Sequence, residues 1–84
     1  MYYVYVIKSL QDKKLYIGYT KDLKNRLIMH NNGNVKVTKT RRPFVLLFYE
    51  AFKNKKDAIL DEKFFKTGYG REVLKDKIKF SEVG

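Results

Sequence analysis

Residues 2–8 alternate: Tyr3, Tyr5 and Ile7 take one side of an extended chain, Val4 and Val6 the other. A period of two predicts a strand. Gln11-Asp12-Lys13-Lys14 is a polar connection of hairpin length, and residues 15–20 return with Leu15, Ile17 and Tyr19 set against Tyr16 and Gly18. So short a link holds no crossover, so the two strands should pair antiparallel. Gly18 removes the side chain near the end of the second strand, which admits another backbone or a ligand.

The period then lengthens to that of a helix. Residues 21–31, with Thr20 as the expected N-cap, carry Leu23 and Leu27 as an apolar stripe flanked by Ile28 or Met29. Gly33 within Asn31-Asn32-Gly33-Asn34 is the expected left-handed residue that stops it. Residues 35–42 lose all periodicity and read as an exposed loop with a basic rim of Lys36, Lys39, Arg41 and Arg42. The nearly continuous apolar run from Phe44 to Phe52 predicts a strand buried on both faces, hence the middle of the sheet. Asn54 should cap a second helix, with Asp57 completing a weak capping box, that runs to about Thr67. Gly68 and Gly70 are expected to break it. Residues 71–79 then form a third helix with Val73, Leu74 and Ile78 inward, Phe80 stapling the tail and residues 81–84 frayed. The order β-β-α-β-α-α predicts an α/β (α+β) domain over residues 1–84: a small three-stranded antiparallel sheet flanked by helices.

With 84 residues, 44% hydrophobic, and seven Tyr and six Phe, the chain can fill a small core with little surplus stability. It has no cysteine, which excludes a disulfide scaffold and a thiolate metal site, and its one histidine makes a zinc centre implausible. Met1-Tyr2-Tyr3-Val4-Tyr5-Val6-Ile7 has no basic leader and is too short to span a bilayer, so neither signal peptide nor membrane anchor is expected and the cytoplasm is the expected location. Nineteen Lys and Arg against nine Asp and Glu give a formal charge of +10. Nucleic acid is the partner such charge favours, because neutralising phosphates releases condensed counterions. A solvated lysine-rich surface would show the same count.

Five residues stand out chemically. Tyr5 and Tyr16 lie on strands that should pair, and antiparallel pairing can bring them to one face; tyrosine is equally a good strand former and half-buried core residue. Arg26 and His30 are one helical turn apart at the edge of the Leu23–Leu27 stripe. Arginine can fork onto a phosphate oxygen, and histidine titrates near neutrality. A surface ion pair and a histidine favoured by the helix C-terminus are the plainer alternatives. Glu62 falls inside an apolar arc with Ala58, Ile59 and Phe65, whereas Asp57 and Asp61 fall outside it as solvent residues. A carboxylate placed so is paired with a lysine or arginine, or is a ligand to one hard divalent ion, magnesium or manganese. No P-loop, HExxH or nucleotide-binding glycine fingerprint competes.

Taken in order, Tyr3-Val4-Tyr5, Tyr16-Ile17-Gly18, Arg26 to His30, the strand within residues 42–50 and Asp61-Glu62-Lys63 resemble the GIY-YIG nuclease superfamily. The likeness covers residues 2–79 and is strongest to the small stand-alone bacterial members, which Lys66-Thr67-Gly68-Tyr69-Gly70-Arg71-Glu72 also resembles. It implies a DNA-cleaving site: Tyr5 as general base or water-positioning group, Tyr16 hydrogen-bonded in the same cluster, Arg26 on the scissile phosphate, His30 assisting proton transfer and Glu62 holding a single Mg²⁺ or Mn²⁺ ion. Tyr3 stands where the family usually has glycine, Tyr19 where several members carry lysine, and Leu74 where repair nucleases carry a late asparagine.

The expected function is a metal-dependent endonuclease that hydrolyses DNA phosphodiester bonds in repair or recombination. Its expected partners are branched, flapped or damaged DNA, or RNA, reached through Lys36, Lys39, Arg41 and Arg42, with no membrane and with a protein partner supplying targeting. The alternatives are a non-catalytic nucleic-acid-binding or accessory module that keeps the nuclease fold, and a protein-interaction domain whose charge serves solubility.

Overall fold

The computed structural model describes residues 1–83. Strand β1 (Tyr2–Ser9) turns through a tight hairpin into β2 (Leu15–Thr20), followed by helix α1 (Leu23–Asn32), a single 3-10 turn (Lys39–Arg41), β3 (Phe44–Phe52) and helices α2 (Lys55–Phe65), α3 (Gly68–Lys77) and α4 (Lys79–Val83). The sheet is antiparallel throughout, in the order β2-β1-β3. The hairpin is organised by Ser9, whose buried hydroxyl accepts from the amides of Gln11 and Asp12 and donates to the carbonyl of Arg41 at 2.6 Å. Lys13 takes the left-handed conformation that closes the turn.

The central strand is β1, not β3. Val4, Val6 and Ile7 are fully buried and Tyr5 nearly so, while Val45 and Leu46 of β3 are 39% and 38% exposed. The apolar run of β3 has a different cause. The register slips between Val6, paired with Phe48, and Ile7, paired with Leu46. Leu47 is thus the extra residue of a β-bulge, which breaks the alternation. Leu47 and Phe48 both pack on the Val4–Val6 side, and Phe44 packs with Tyr5 and Ile7 on the other. An edge strand with a bulge therefore reads along the sequence as a strand buried on both faces.

The two sides of β1 carry separate cores. Under α1, Tyr5, Ile7 and Phe44 meet Tyr16, Leu23 and Leu27. Under α2 and α3, Val4, Val6 and Ile17 meet Ala58, Phe65, Leu74 and Ile78.

The helix ends agree with expectation at Gly33 and Asn54 and depart from it elsewhere. Asp22, not Thr20, caps α1, accepting from the amide of Asn25, while the Thr20 hydroxyl accepts from the amide of Asp22 at 3.1 Å. Gly33 is left-handed at φ +80°, and its amide reaches back to the helix carbonyls. Asn54 caps α2 through the amide of Lys56. That helix ends at Phe65, and Thr67 caps α3, so both glycines lie in the first turn of α3 rather than in a break. Gly70 is there for closeness: a Cβ would overlap the carbonyl oxygen of Phe64. Residues 79–83 are helical rather than frayed, and Phe80 is 83% exposed and staples nothing; Gly84 lies outside the described residues. Among those residues, no helix is long and apolar enough to cross a membrane.

Candidate active site

Along α1, positions 23, 26, 27 and 30 form one face at helical spacing, so the core-facing stripe is Leu23, Arg26, Leu27 and His30 rather than a purely apolar one. Ile28, at the flank, is 49% exposed. Half of the inward face is therefore polar, and it meets the tyrosines of the sheet. His30 is fully buried with its ring centroid 5.6 Å from that of Tyr5, 5.2 Å from Tyr16 and 5.8 Å from Phe44. Tyr5 and Tyr16 are 6.4 Å apart.

Tyr5 reaches His30 because Gly18 lets it. In the β1–β2 register Tyr5 faces Gly18, and a Cβ there would stand 2.4 Å from both Cζ and the hydroxyl of Tyr5. The space left by the missing side chain is filled by a tyrosine ring, neither by backbone nor by open solvent.

The Tyr5 hydroxyl lies 2.8 Å from His30 Nε2, and His30 Nδ1 lies 2.7 Å from the hydroxyl of Thr38, itself fully buried. The Thr38 hydroxyl donates to the carbonyl of Val35 at 3.4 Å. Only one arrangement gives every proton an acceptor: Tyr5 O–H donates to Nε2, Nδ1–H donates to Thr38, and Thr38 O–H donates to Val35. Thr38 thus fixes the His30 tautomer with the unprotonated nitrogen toward Tyr5.

The electrostatics keep this pair in one state. Burial, reinforced by Tyr16 and opposed by Arg26, pushes the Tyr5 phenol far above its ordinary value, with Glu62 adding to the rise. Burial, then Arg26, lowers His30 to about 4. At neutral pH the phenol is protonated and the imidazole neutral, so the proton rests on Tyr5 beside an empty acceptor.

Tyr5, Tyr16 and His30 are therefore in one cluster, with Arg26, half-buried on the same helix face, and Glu62 acting on it through their charge. Glu62 sits on α2 with its side chain 22% exposed, and its carboxylate accepts from Lys66 Nζ at 2.9 Å. Lys36, Lys39, Arg41 and Arg42 belong to the loop that brings Thr38 to His30, and none of the four is hydrogen-bonded to Tyr5, Tyr16 or His30. Arg41 is ion-paired with Asp12 at 2.6 Å and stacked on Phe44, and Arg42 donates to the carbonyl of Lys39, leaving Lys36 and Lys39 exposed.

Sequence reasoning missed two things. Thr38 carried no signal, since a threonine inside an aperiodic basic loop looks solvent-exposed. Asp61 did carry one: it is three residues after Ala58 and four before Phe65, both buried, so it shares their face. It is not a solvent residue. Its Oδ2 is buried without a donor, and burial together with the neighbouring Glu50 carboxylate raises it to about 7, against the pull of Lys77.

Other proteins resemble this chain over most of its length. The UPF0213 protein SSP2268 of Staphylococcus saprophyticus is 43% identical over 75 residues, covering 88% of this chain and 90% of its own. A UPF0213 protein from the ldhD 5′ region of Pediococcus acidilactici is 46% identical over 77 residues, covering 88% and 78%. The solution NMR structure of the UPF0213 protein BH0048 from Bacillus halodurans superposes with a TM-score of 0.53 at 35% identity, covering 88% of this chain and 82% of that one. The family model of the GIY-YIG catalytic domain matches residues 1–76, the span that contains both tyrosine half-motifs, α1 and Glu62, and the chain belongs to that family.

Proposed function

We propose that this protein is a metal-dependent endonuclease that hydrolyses DNA phosphodiester bonds, in repair or recombination, on branched, flapped or damaged DNA. The observation that carries this reading is the Tyr5–His30 hydrogen bond, with its tautomer set by Thr38 and with Arg26 and Glu62 close enough to act on it. A buried phenol needs a hydrogen-bond partner in any case; what supports chemistry here is that the partner is a neutral imidazole with its acceptor nitrogen toward the phenol, beside a cation and a carboxylate.

Within this reading the Tyr5 oxygen takes the proton of the attacking water as its own proton passes to His30 Nε2. The resulting imidazolium keeps Thr38 as the acceptor for Nδ1–H, so no hydrogen bond has to reorganise. Arg26 holds the scissile phosphate and offsets the charge that gathers on it. Its positive charge also favours the ionised phenol, the direction a tyrosine base requires.

Glu62 is the residue that would hold a divalent ion. No group of three or more His, Cys, Asp or Glu side chains gathers among the described residues. A fully caged ion therefore does not fit, whereas Mg²⁺ or Mn²⁺, which keeps most of its waters and takes phosphate oxygens from the substrate, needs one carboxylate. Lys66, which now occupies that carboxylate, is 49% exposed and free to swing away. Such an ion would stabilise the leaving oxygen.

The test is nicking of supercoiled plasmid and cleavage of flapped DNA, with and without Mg²⁺ or Mn²⁺, beside Glu62→Ala. Cutting should require the ion and be lost in the variant while its melting temperature stays near the parent's. A variant that cuts as well as the parent removes Glu62 from the site. The Lys66–Glu62 ion pair favours one other reading, a nucleic-acid-binding accessory that does not cut; it predicts DNA binding with no metal-dependent rise in melting temperature.

A further inference from the structure

We infer that the groove between β2 and α3 is the track for the sugar–phosphate backbone of the DNA strand, leading away from the cleavage site; this rests on the nuclease reading. The groove encloses about 600 Å³ and draws its cations from three separate stretches: Lys13 and Lys14 at the hairpin, Lys66 after α2, and Arg71 and Lys75 one turn apart on α3. Its floor holds buried Ile17 and Leu74, and among the described residues Glu82 is its one acid. Cationic walls over an apolar floor match a nucleic-acid strand, whose phosphates face the charges while its sugars lie on the floor.

Three observations choose this surface over the loop of residues 35–42. Among the described residues, four of the groove's five cations, Lys13, Lys14, Arg71 and Lys75, have no ion-pair partner and come from separate elements onto one groove, whereas the loop's Arg41 is held by Asp12 and only Lys36, Lys39 and Arg42 are unpaired along a single stretch. Five cations against the single acid Glu82, with Lys66 paired to Glu62 outside the lining, leave the groove net positive, and a polyanion in it relieves their mutual repulsion. The groove also joins the candidate active site physically: Tyr16 lines it and packs on Tyr5 and His30, and Lys66 lines it while bonded to Glu62. A strand in the groove gives Lys66 phosphates to bind in place of Glu62. Occupying the track and freeing the metal-binding carboxylate then become one event.

The experiment is fluorescence anisotropy of a labelled flapped oligonucleotide in EDTA, across 50–200 mM salt, for the parent, Arg71→Ala/Lys75→Ala and Lys36→Ala/Lys39→Ala. The two variants remove the same charge from exposed positions, one pair in the groove and one in the loop. The groove variant should bind about tenfold or more weakly, and its log K against log salt slope should be shallower by about 1.4–1.8, the share of two phosphate contacts. The loop variant should lose much less. Parent-like binding by the groove variant, or equal losses in both, overturns the track. Because EDTA prevents cleavage, the two readings separate: a parent that never nicks but loses DNA on groove mutation keeps the track and refutes the nuclease, and a nicking parent with an indifferent groove does the reverse.

Discussion

The two sides of β1 bury polar groups in opposite ways. Under α1 the chain Tyr5, His30, Thr38, Val35 gives each proton an acceptor, and every member of it is positioned by something else: Tyr5 by Gly18, His30 by its place in the helix stripe, Thr38 by the turn before β3. Under α2 and α3, Asp61 leaves a buried oxygen without a donor and faces another carboxylate, Glu50. One side uses low dielectric to sharpen a directional hydrogen-bond chain; the other holds its acid only by keeping a proton that water would remove. A buried polar group thus supports chemistry when its neighbours supply complementary partners, and is a liability when they repeat its charge.

Removing the head of the satisfied chain should have the largest effect. Tyr5→Phe keeps the ring against Gly18 but deletes the proposed proton relay and leaves His30 Nε2 buried without a donor. Nicking should fall by about 10²–10⁴-fold, the usual contribution of a positioned base. Stability should fall by only about 1–3 kcal/mol. Steady-state cleavage beside a denaturant melt measures both, and a variant that nicks like the parent ends Tyr5's role as base.

Gly18→Ala attacks the same chain from outside. Its new methyl would stand where Cζ and the hydroxyl of Tyr5 now lie, so the ring must move away from His30. Overpacking of this kind costs about 1–3 kcal/mol. Activity should fall with it, and the His30 ring resonances should shift in an NMR spectrum. Unchanged resonances would mean the ring does not need the space.

On the other side of the sheet a conservative change should stabilise. Asp61→Asn keeps the shape, replaces a proton-dependent contact by an amide that donates to Glu50, and should raise stability at pH 8 by about 1–3 kcal/mol. The gain should vanish near pH 4, where the parent's acid is already protonated. Urea melts at the two pH values check this, and a variant less stable at pH 8 would show that the charge is needed.

The same contrast explains what could be read from the sequence. Strand alternation, Gly33 and the tyrosine half-motifs are local signals, and β1, β2, α1 and the Tyr5–Tyr16–His30 cluster follow from them. The place of β3 in the sheet is not local. Hydrophobicity along a run records composition, and the bulge at Leu47 makes an edge strand look like a central one. The glycines at 68 and 70 have the composition of a break, yet Gly70 serves a close approach that only the folded turn between α2 and α3 defines. Thr38 was illegible for the same reason: its value comes from a histidine on another element.

The smallest effect predicted here is the near absence of one. His30 is lowered from 6.5 to about 4, so the unfolded chain binds its proton more tightly; this contribution to stability is present above pH 6.5 and lost as pH falls through 4. Asp61 is raised from 3.8 to about 7, so the folded chain binds the proton more tightly; that contribution is present below pH 3.8 and lost as pH rises through 7. The windows overlap and the signs oppose, so between about pH 4.5 and 6.5 the two terms work against each other in the parent. Each single variant should uncover the other's slope. Asp61→Asn removes the Asp61 term, so stability relative to the parent should rise with pH across the window. His30→Gln leaves the Asp61 term, and its relative stability should fall. Comparing variants with the parent at each pH removes the general repulsion of a chain with net charge +10. Slopes of equal sign in the two variants would show that the faces do not oppose each other, and that one of the two buried groups is solvated in the folded protein.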